Sequence, residues 1–426
     1  MSTWDQDLAD LLSGKAQSLI RLHWEDIVDH IRRDISRRAL IAGGAAVTAG
    51  LVAAPSALAS DGTGGSGGAG RGLYARRAQE TYMALQRHFY DPERSLYLEE
   101  YPRTGGNPWS YVWPFSQAMI ATQVLAGLPA VGHRYAGDVA DRYRALELYW
   151  NDTTEPPGYD SYLRPPLGQG GDKFYDDNEW NALGLIQRHY MTEGGDQAAL
   201  DRAAEIFDLV VFGWDTDPDH PCPGGVFWTQ ADWSTDRNTV SNGPGAEVGL
   251  HLYLITGDEY YLDWALRMYE WVRGCLLAPN GLYWDNIRLD GSIWEAQFSY
   301  NQGVMIGAGV LLYRATGEVR YLEQARSTAS TALAYYAENE RYFAQPARFH
   351  AIFFSNLLQL DVIAHDPAYR AAMHWYAAES RARFRSTETG LYRFTGAEPV
   401  QLLEQAGMVR IEGMLGWSRR DYPKLT

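Results

Sequence analysis

Hydrophobic positions along the chain recur at helical spacing from about Gly72 to the C-terminus, and strand-like alternation of apolar and polar residues is scarce. Gly, Pro, Asn and Asp interrupt the apolar runs at regular intervals, as they do at the ends of helices. The pattern therefore predicts an all-α fold.

A helical hairpin repeats with a period of about 60 residues. Thr256-Gly257-Asp258 leads to Leu262-Asp263-Trp264-Ala265, Thr316-Gly317-Glu318 leads to Leu322-Glu323-Gln324-Ala325, and Glu193-Gly194-Gly195-Asp196 leads to Leu200 in an earlier copy. A Gly-Asp turn ends one helix and begins the next. Each copy follows a run rich in Gly and Ala, such as Gly303 to Gly309, whose small residues let helices approach closely.

Two helix types alternate in this pattern, and six of each fill the chain. The first-type helices would begin near Trp113, Asp176, Ser241, Tyr300, Arg348 and Glu404, and the second-type helices would lie near Leu73, Asp138, Asp196, Glu259, Glu318 and Ala368. The second type is amphipathic, as an outer ring requires. The sequence therefore predicts an (α/α)6 barrel of six hairpins in residues 73–426.

The N-terminus has the features of an export signal. Ser36-Arg37-Arg38-Ala39-Leu40-Ile41 opens a Gly/Ala/Val-rich run, and Ala57-Leu58-Ala59 resembles a cleavage site. A membrane anchor is the alternative, but the run is short against the roughly 20 residues that a span needs. We expect an N-terminal extension with a twin-arginine-type signal over 1–59, a Gly-rich linker over 60–72 and a secreted mature chain without a stable membrane span.

Composition narrows the class of ligand. The chain has 426 residues, a formal net charge of -16 and 13% aromatic residues. The acidic balance excludes a nucleic-acid partner, because no basic stripe could meet phosphates. The surplus of Trp and Tyr suits a groove that stacks on apolar ligand faces. We expect a monomer. Cys222 and Cys275 leave open whether a disulfide forms.

The candidate chemistry lies at the starts of the first-type helices. In an alternating barrel all inner helices run the same way, so their N-termini converge at one mouth. Asp176 and Asp177, the one adjacent Asp pair in the chain, lie there. Two close carboxylates cannot both ionise freely, so one can serve as an acid. The alternative is an ordinary helix start, where Asp is favoured.

Other residues at the predicted mouth suit a neutral polyhydroxylated ligand. The candidate substrate-binding residues are Tyr175, Asn178, Trp180, Trp228, Asn242, Trp284, Asp285, Tyr300, Asn301 and Gln302. For the tryptophans the alternative is packing at the rim, and for the Asp and Asn residues it is a turn or a helix cap. No metal-binding or phosphate-binding motif is evident, and hydrolysis at this mouth would need no cofactor and no metal.

The chain resembles glycoside hydrolase family 76, the endo-α-1,6-mannanase family. The resemblance rests on Tyr175-Asp176-Asp177-Asn178, the 238–243 stretch, Ser299-Tyr300-Asn301-Gln302-Gly303 and the repeated Thr-Gly-Asp/Glu turns. It implies an (α/α)6 fold, an α-mannan substrate and retention of configuration, with Asp176 as nucleophile and Asp177 as acid/base. Retention requires carboxyl groups about 5–5.5 Å apart, which neighbouring residues at a helix start can satisfy. Pro244, inside the start of the third inner helix, departs from the family pattern.

Two other functions stay open. A transglycosidase or a lyase could use the same barrel, although a lyase would want cations at the mouth, where Arg237 is nearly alone. A non-catalytic cell-wall glycan-binding protein would differ by losing the carboxylate pair, which is intact here.

Overall fold

The computed structural model describes residues 66–192 and 195–426. Six helices form an inner ring: α2 (Val112–Ala126), α4 (Tyr175–Met191), α6 (Thr239–Thr256), α8 (Ser299–Thr316), α10 (Ala347–Ala364) and α12 (Leu402–Gly416). Six more alternate with them outside: α1 (Ser66–Phe89), α3 (Ala136–Leu146), α5 (Gln197–Phe212), α7 (Glu259–Cys275), α9 (Val319–Ala337) and α11 (Pro367–Phe384).

The inner helices contact each other in sequence, and α12 contacts α2, so the ring closes. This confirms the predicted (α/α)6 barrel. The two helix types differ in burial as the pattern predicted. Every residue of α8 from Ser299 to Leu312 is buried, whereas α7 buries one face, including Leu262, Ala265 and Met268.

The repeated turn ends inner helices and begins outer ones. Gly257 and Gly317 stand just after α6 and α8 with φ of 75° and 74°, a left-handed conformation that glycine adopts at low cost. Asp258 then caps α7 by accepting a hydrogen bond from the Tyr260 N–H at 3.0 Å.

Short strands lie in the connections that lead to the inner helices. They are β1 (Tyr90–Asp91), β2 (Leu96–Tyr97), β3 (Glu100–Tyr101), β4 (Trp150–Asn151), β5 (Gly158–Tyr159), β6 (Asp236–Asn238), β7 (Asn286–Arg288), β8 (Ile293–Trp294) and β9 (Val400–Gln401). Strands β6, β7 and β8 form an antiparallel sheet in which Asn238 pairs with Asn286. This pairing brings the Asp285 loop against the start of α6, where the Thr239 N–H donates to the Asp285 carbonyl at 2.8 Å.

A disulfide and a buried ion pair anchor the 213–235 connection between α5 and β6. Cys222 in this connection is bonded to Cys275 at the end of α7, with a Cα–Cα distance of 6.1 Å. The guanidinium group of Arg237, which is fully buried, forms an ion pair with Asp215 and donates to the Pro221 carbonyl at 2.8 Å. The pairing of the two cysteines, left open by the sequence, is thereby answered.

We expect Cys222→Ser to lower the free energy of unfolding by about 4 kcal/mol under oxidising conditions, because the bond closes a long loop in the unfolded chain. The two cysteines are 53 residues apart in sequence. Denaturant unfolding with and without reductant measures the effect. Cys275→Ser and the double variant should lose the same amount, because each removes the same bond. Additive losses would contradict this account.

The N-terminal predictions lie largely outside the described residues. These are the extension, the twin-arginine signal and residues 60–65 of the linker, together with Glu193 and Gly194 of the first repeat copy. Helix α1 begins at Ser66, ahead of the predicted domain start at residue 73. The predicted boundary rested on glycine content, and glycine weakens a helix without forbidding one. Across 66–192 and 195–426, no helix is long and apolar enough to cross a membrane.

Candidate active site

Asp176 and Asp177 occupy the first turn of α4, where backbone N–H groups have no helical partner. Phe174 precedes the helix in an extended conformation, and the Tyr175 N–H donates to the Trp228 carbonyl at 3.0 Å. This contact holds the start of α4 against the 213–235 connection. Both aspartates are half-buried, so they remain accessible from the mouth.

The surroundings of the two aspartates favour their protonated forms. Burial raises the pKa of Asp176 to about 7, although the nearby donors of the Asp177 backbone and the Trp228 side chain oppose part of the rise. Burial, and then the negative charges of Asp176 and Glu99, raise the pKa of Asp177 well above its ordinary value. The pair can therefore hold one proton near neutral pH, as an acid and a carboxylate acting together require.

Asp285 brings a third carboxyl group to the same place. It accepts hydrogen bonds from Asn301 Nδ2 at 2.9 Å, Asn286 Nδ2 at 3.1 Å and the Tyr300 hydroxyl at 3.4 Å. Burial raises the pKa of Asp285 to about 7. Its charge also acts on Asp176, so residues more than a hundred positions apart converge as the barrel geometry predicted.

Glu99 is a fourth carboxyl group at the mouth, which the sequence did not single out. Its Oε2 accepts the N–H of Tyr111, just before α2, at 3.0 Å, and its carbonyl accepts the N–H of Leu402, at the start of α12, at 3.0 Å. Glu99 thus sits between two inner-helix starts and acts on Asp177 through its charge. It lies between two short strands, where no motif marks it.

Two groups of aromatic rings lie near the starts of the inner helices. Trp228 packs edge-on against Phe174 at a centroid distance of 4.9 Å. On the other side Tyr300 lies 4.1 Å from Phe349, which in turn lies 6.4 Å from Trp113. Phe174, Tyr300 and Phe349 are buried, whereas the half-buried rings of Trp228 and Trp113 suit the apolar sides of sugar rings.

Trp113 and Arg348 were predicted as helix starts and not as site residues. The Trp113 indole N–H is buried and has no partner among the described residues, and the Arg348 guanidinium lies 5.6 Å from its ring. Arg348 forms an ion pair with Glu404 at the start of α12. The position of both residues at inner-helix starts was the signal that could have identified them.

The fourth residue of several inner helices anchors the loop that precedes it. Asn178 binds both the N–H and the carbonyl of Tyr159, Asn242 those of Val226, Gln302 those of Tyr283 and Gln405 those of Tyr392. His350 at the same position of α10 contacts the Tyr342 carbonyl at 2.7 Å. These side chains shape the mouth by holding its loops.

The structure commits part of the predicted substrate-binding set to contacts inside the protein. Asn178, Asn242 and Gln302 are fully buried with their amides committed to backbone groups, because a buried amide must satisfy its hydrogen bonds inside the protein. Tyr175 and Trp180 are buried too, and the Tyr175 ring packs over Gly213 at the end of α5. Their rings pack in the core.

Of the remaining predicted residues, Asp285, Tyr300 and Asn301 are buried, whereas Trp228 is half-buried. Asp285, Tyr300 and Asn301 form one hydrogen-bonded group, and Trp228 stands beside Asp176. Trp284 is half-buried, and its carbonyl accepts the Thr239 hydroxyl at 2.6 Å. In the part of the chain that the structure describes, no group of three or more His, Cys, Asp or Glu side chains could hold a metal ion.

Comparison with known proteins gives a consistent result. The sequence model of Glycosyl hydrolase family 76 matches residues 74–396. Mannan endo-1,6-alpha-mannosidase DCW1 of Saccharomyces cerevisiae is 34% identical over 124 residues, 27% of each chain. The protein of the same name from Candida glabrata is 26% identical over 192 residues, 42% of each chain. The matches thus span less than half of these curated relatives.

Solved structures share the fold over most of the chain. A GH76 alpha-mannanase of Bacteroides thetaiotaomicron superposes with a TM-score of 0.73 at 21% identity, covering 82% of this chain and 98% of the other. An inactive variant of the alpha-1,6-mannanase of a Salegentibacter species, in complex with alpha-1,6-mannotriose, superposes with a TM-score of 0.65 at 21% identity, covering 80% and 99%. Two consecutive aspartates are replaced by asparagine in that variant.

Proposed function

The chain belongs to glycosyl hydrolase family 76, and we propose that it hydrolyses α-1,6-mannosidic bonds in a mannan-type polysaccharide with retention of configuration. The observation that carries this proposal is the Asp176–Asp177 pair at the start of an inner helix, with the pKa of both carboxyl groups raised. The names of the matched relatives support the choice of linkage.

In the first step the two aspartates act on opposite sides of the scissile bond. Asp177 donates its proton to the glycosidic oxygen as the C1–O bond breaks, while the Asp176 carboxylate attacks C1. The product of this step is a mannosyl group bonded through C1 to Asp176. The electrostatics suit these roles, because Glu99 and Asp176 both favour the proton on Asp177.

In the second step the Asp177 carboxylate takes a proton from water, and the water oxygen attacks C1 and displaces Asp176. Two inversions at C1 give net retention, so the first-formed product is the α-anomer. The buried group of Asp285, Asn301 and Tyr300 fixes the Asp285 carboxyl group, whose charge acts on Asp176. The half-buried rings of Trp228 and Trp113 offer flat faces to a sugar chain. A site of this kind suits a neutral sugar chain and needs no cation.

Reducing-sugar release from linear α-1,6-mannan tests the proposal. The purified chain should release reducing ends that Asp177→Asn does not, and proton NMR of early products should show the α-anomer. First appearance of the β-anomer would overturn retention. A folded wild-type chain that releases no reducing ends would overturn the hydrolase proposal, and binding alone would then favour the glycan-binding function. Lengthened oligosaccharides would indicate transglycosylation instead.

We also propose that the chain is exported by the twin-arginine route and acts outside the cell as a monomer. The Ser36 to Ile41 stretch supports this route. Replacement of Arg37 and Arg38 by Lys should retain the uncleaved chain inside cells. Equal amounts of mature protein in the medium from the variant and from the wild type would refute the twin-arginine route. Sedimentation of the mature protein tests the oligomeric state.

A further inference from the structure

Two glutamates next to the active site are buried, and no hydrogen bond among the described residues offsets the cost of burying their carboxyl groups. Glu179 on α4 is 0% exposed and Glu247 on α6 is 1% exposed. None of their four carboxyl oxygens has a hydrogen-bond partner among residues 66–192 and 195–426. Buried polar groups are normally hydrogen-bonded, so a pair of this kind calls for a physical account.

Glycines make room for both carboxyl groups. A Cβ atom on Gly245 of α6 would lie 2.9 Å from Glu179 Oε1, and a Cβ atom on Gly307 of α8 would lie 1.9 Å from Glu247 Oε1. The same Cβ on Gly307 would meet Asn356 Oδ1 of α10 at 1.9 Å. The carboxyl groups therefore occupy spaces formed by missing side chains on the neighbouring inner helices.

The charges around Glu179 all disfavour its ionised form. Asp176, three residues earlier on α4, and Glu247 on α6 are both acidic, while Val210 of α5 and Met268 of α7, which face the same space, are apolar. Burial and these two charges raise the pKa of Glu179 well above its ordinary value, and burial does the same to the pKa of Glu247. A raised pKa favours the protonated form of Glu179, which has an O–H group to donate.

Asp176, one helical turn before Glu179 on α4, offers a hydrogen-bond acceptor. Asp176 Oδ1 is buried and has no donor in the described part of the chain. Residues three apart on a helix are neighbours, so the Glu179 side chain is on the correct side of α4. A neutral Glu179 would supply the donor that Asp176 Oδ1 lacks.

We propose that Glu179 is a positioning residue of the reaction, which as a neutral acid donates a hydrogen bond to Asp176 Oδ1, directly or through one water molecule. The proposal rests on the proposed function of Asp176 as nucleophile. Hydrogen bonding to the charged form favours it, so Glu179 keeps Asp176 ionised at lower pH than its burial alone would allow. Glu179 does not touch the substrate, since its side chain is buried.

Two substitutions of Glu179 distinguish a role as hydrogen-bond donor from a role as negative charge. Glu179→Gln keeps the shape and an N–H donor, so the pH profile of kcat/KM should match that of the wild type within a few tenths of a unit. Glu179→Leu removes the donor, so the acid limb should move up by about one unit, a loss of about tenfold in kcat/KM at pH 5. The KM for mannan should stay unchanged in both variants.

Two other results for the acid limb of the pH profile would overturn the proposal. If Glu179 were ionised, its repulsion would raise the pKa of Asp176, and Glu179→Gln would move the acid limb down. If Glu179 only filled space, Glu179→Leu would leave the profile unchanged. Asp263→Asn, on the exposed face of α7, is the matched control for removing a carboxylate elsewhere.

A second readout does not need activity. Because the pKa of Glu179 is raised in the folded state, its contribution to stability is present below the unfolded pKa of about 4.3 and is lost as the pH rises. From about pH 5 to pH 7 the wild-type unfolding equilibrium should lose a factor of about ten per unit relative to Glu179→Gln. The infrared band of a protonated carboxyl group should also weaken in this variant. If both signals are absent, Glu179 is not neutral, whatever the enzyme's substrate.

Discussion

Asp176→Asn is expected to lower kcat on α-1,6-mannan by about 10⁴- to 10⁶-fold, the range seen when a catalytic nucleophile or its partner is removed. The amide has nearly the shape of the carboxylate but no charge, so it cannot form the bond to C1. The start of α4 should survive, because the Tyr175 N–H contact with the Trp228 carbonyl does not involve the side chain. The measurement is kcat for reducing-end release.

Stability gives the first control for Asp176→Asn. Burial raises the pKa of Asp176 to about 7, so in the wild type the ionised form costs free energy at pH 7 and above. Asn carries no such cost. The melting temperature of the variant should therefore equal or exceed that of the wild type at pH 8. A lower melting temperature would mean that the loss of activity reflects the fold.

Azide gives the second control. In a nucleophile variant a small anion can attack C1 directly, with Asp177 still protonating the leaving oxygen. The expected product is the β-mannosyl azide, formed by a single inversion. Formation of the α-mannosyl azide would show that Asp176 is not the nucleophile.

The barrel was predictable because short sequence motifs mark the ends of its repeated helices. Gly257 and Gly317 must adopt the left-handed conformation, and Asp258 must cap the helix that follows. Glycine meets the first requirement and aspartate the second, and both residue types can be read directly from the sequence. The Gly/Ala-rich character of α8 likewise follows from its complete burial.

The roles of the polar residues at the mouth were less predictable. Asn178 and Asn301 occupy similar positions near inner-helix starts, yet the first binds the backbone of Tyr159 and the second binds the Asp285 carboxyl group. The fourth helical position points to the backbone of the preceding loop, whereas Asn301 at the third position points to the Asp285 side chain. A difference of one residue in register therefore decides whether a buried amide holds the backbone of a loop or the carboxyl group of Asp285.

Glu99 and Glu179 needed the structure for a different reason. Glu99 reaches Asp177 because two short strands and the starts of α2 and α12 meet around it, which is a long-range arrangement. Glu179 follows the Asp pair in sequence, and from sequence alone it is an ordinary residue of the first helical turns. Its importance comes from burial between α4 and α6 and from the gap at Gly245.

Asp177→Asn is expected to lower kcat on mannan by about 10²- to 10⁴-fold, the usual contribution of a general acid or base. The polymer has a poor leaving group, so the loss should be large. An aryl α-1,6-mannobioside with an acidic phenol needs little protonation, and its first step should be nearly normal. The glycosyl-enzyme should then accumulate, because no base activates water, and a burst of phenol should precede slow turnover.

The burst distinguishes Asp177 from Asp176, since Asp176→Asn should give none on the same substrate. Azide should restore turnover of Asp177→Asn by attacking the intermediate, and the product should be the α-mannosyl azide. The pH profile should also lose its alkaline limb, because the proton that Asp176 and Glu99 hold on Asp177 is gone. If Asp177→Asn were equally slow on mannan and on the aryl substrate, Asp177 would not be the acid, and Glu99 would be the next carboxyl group to replace.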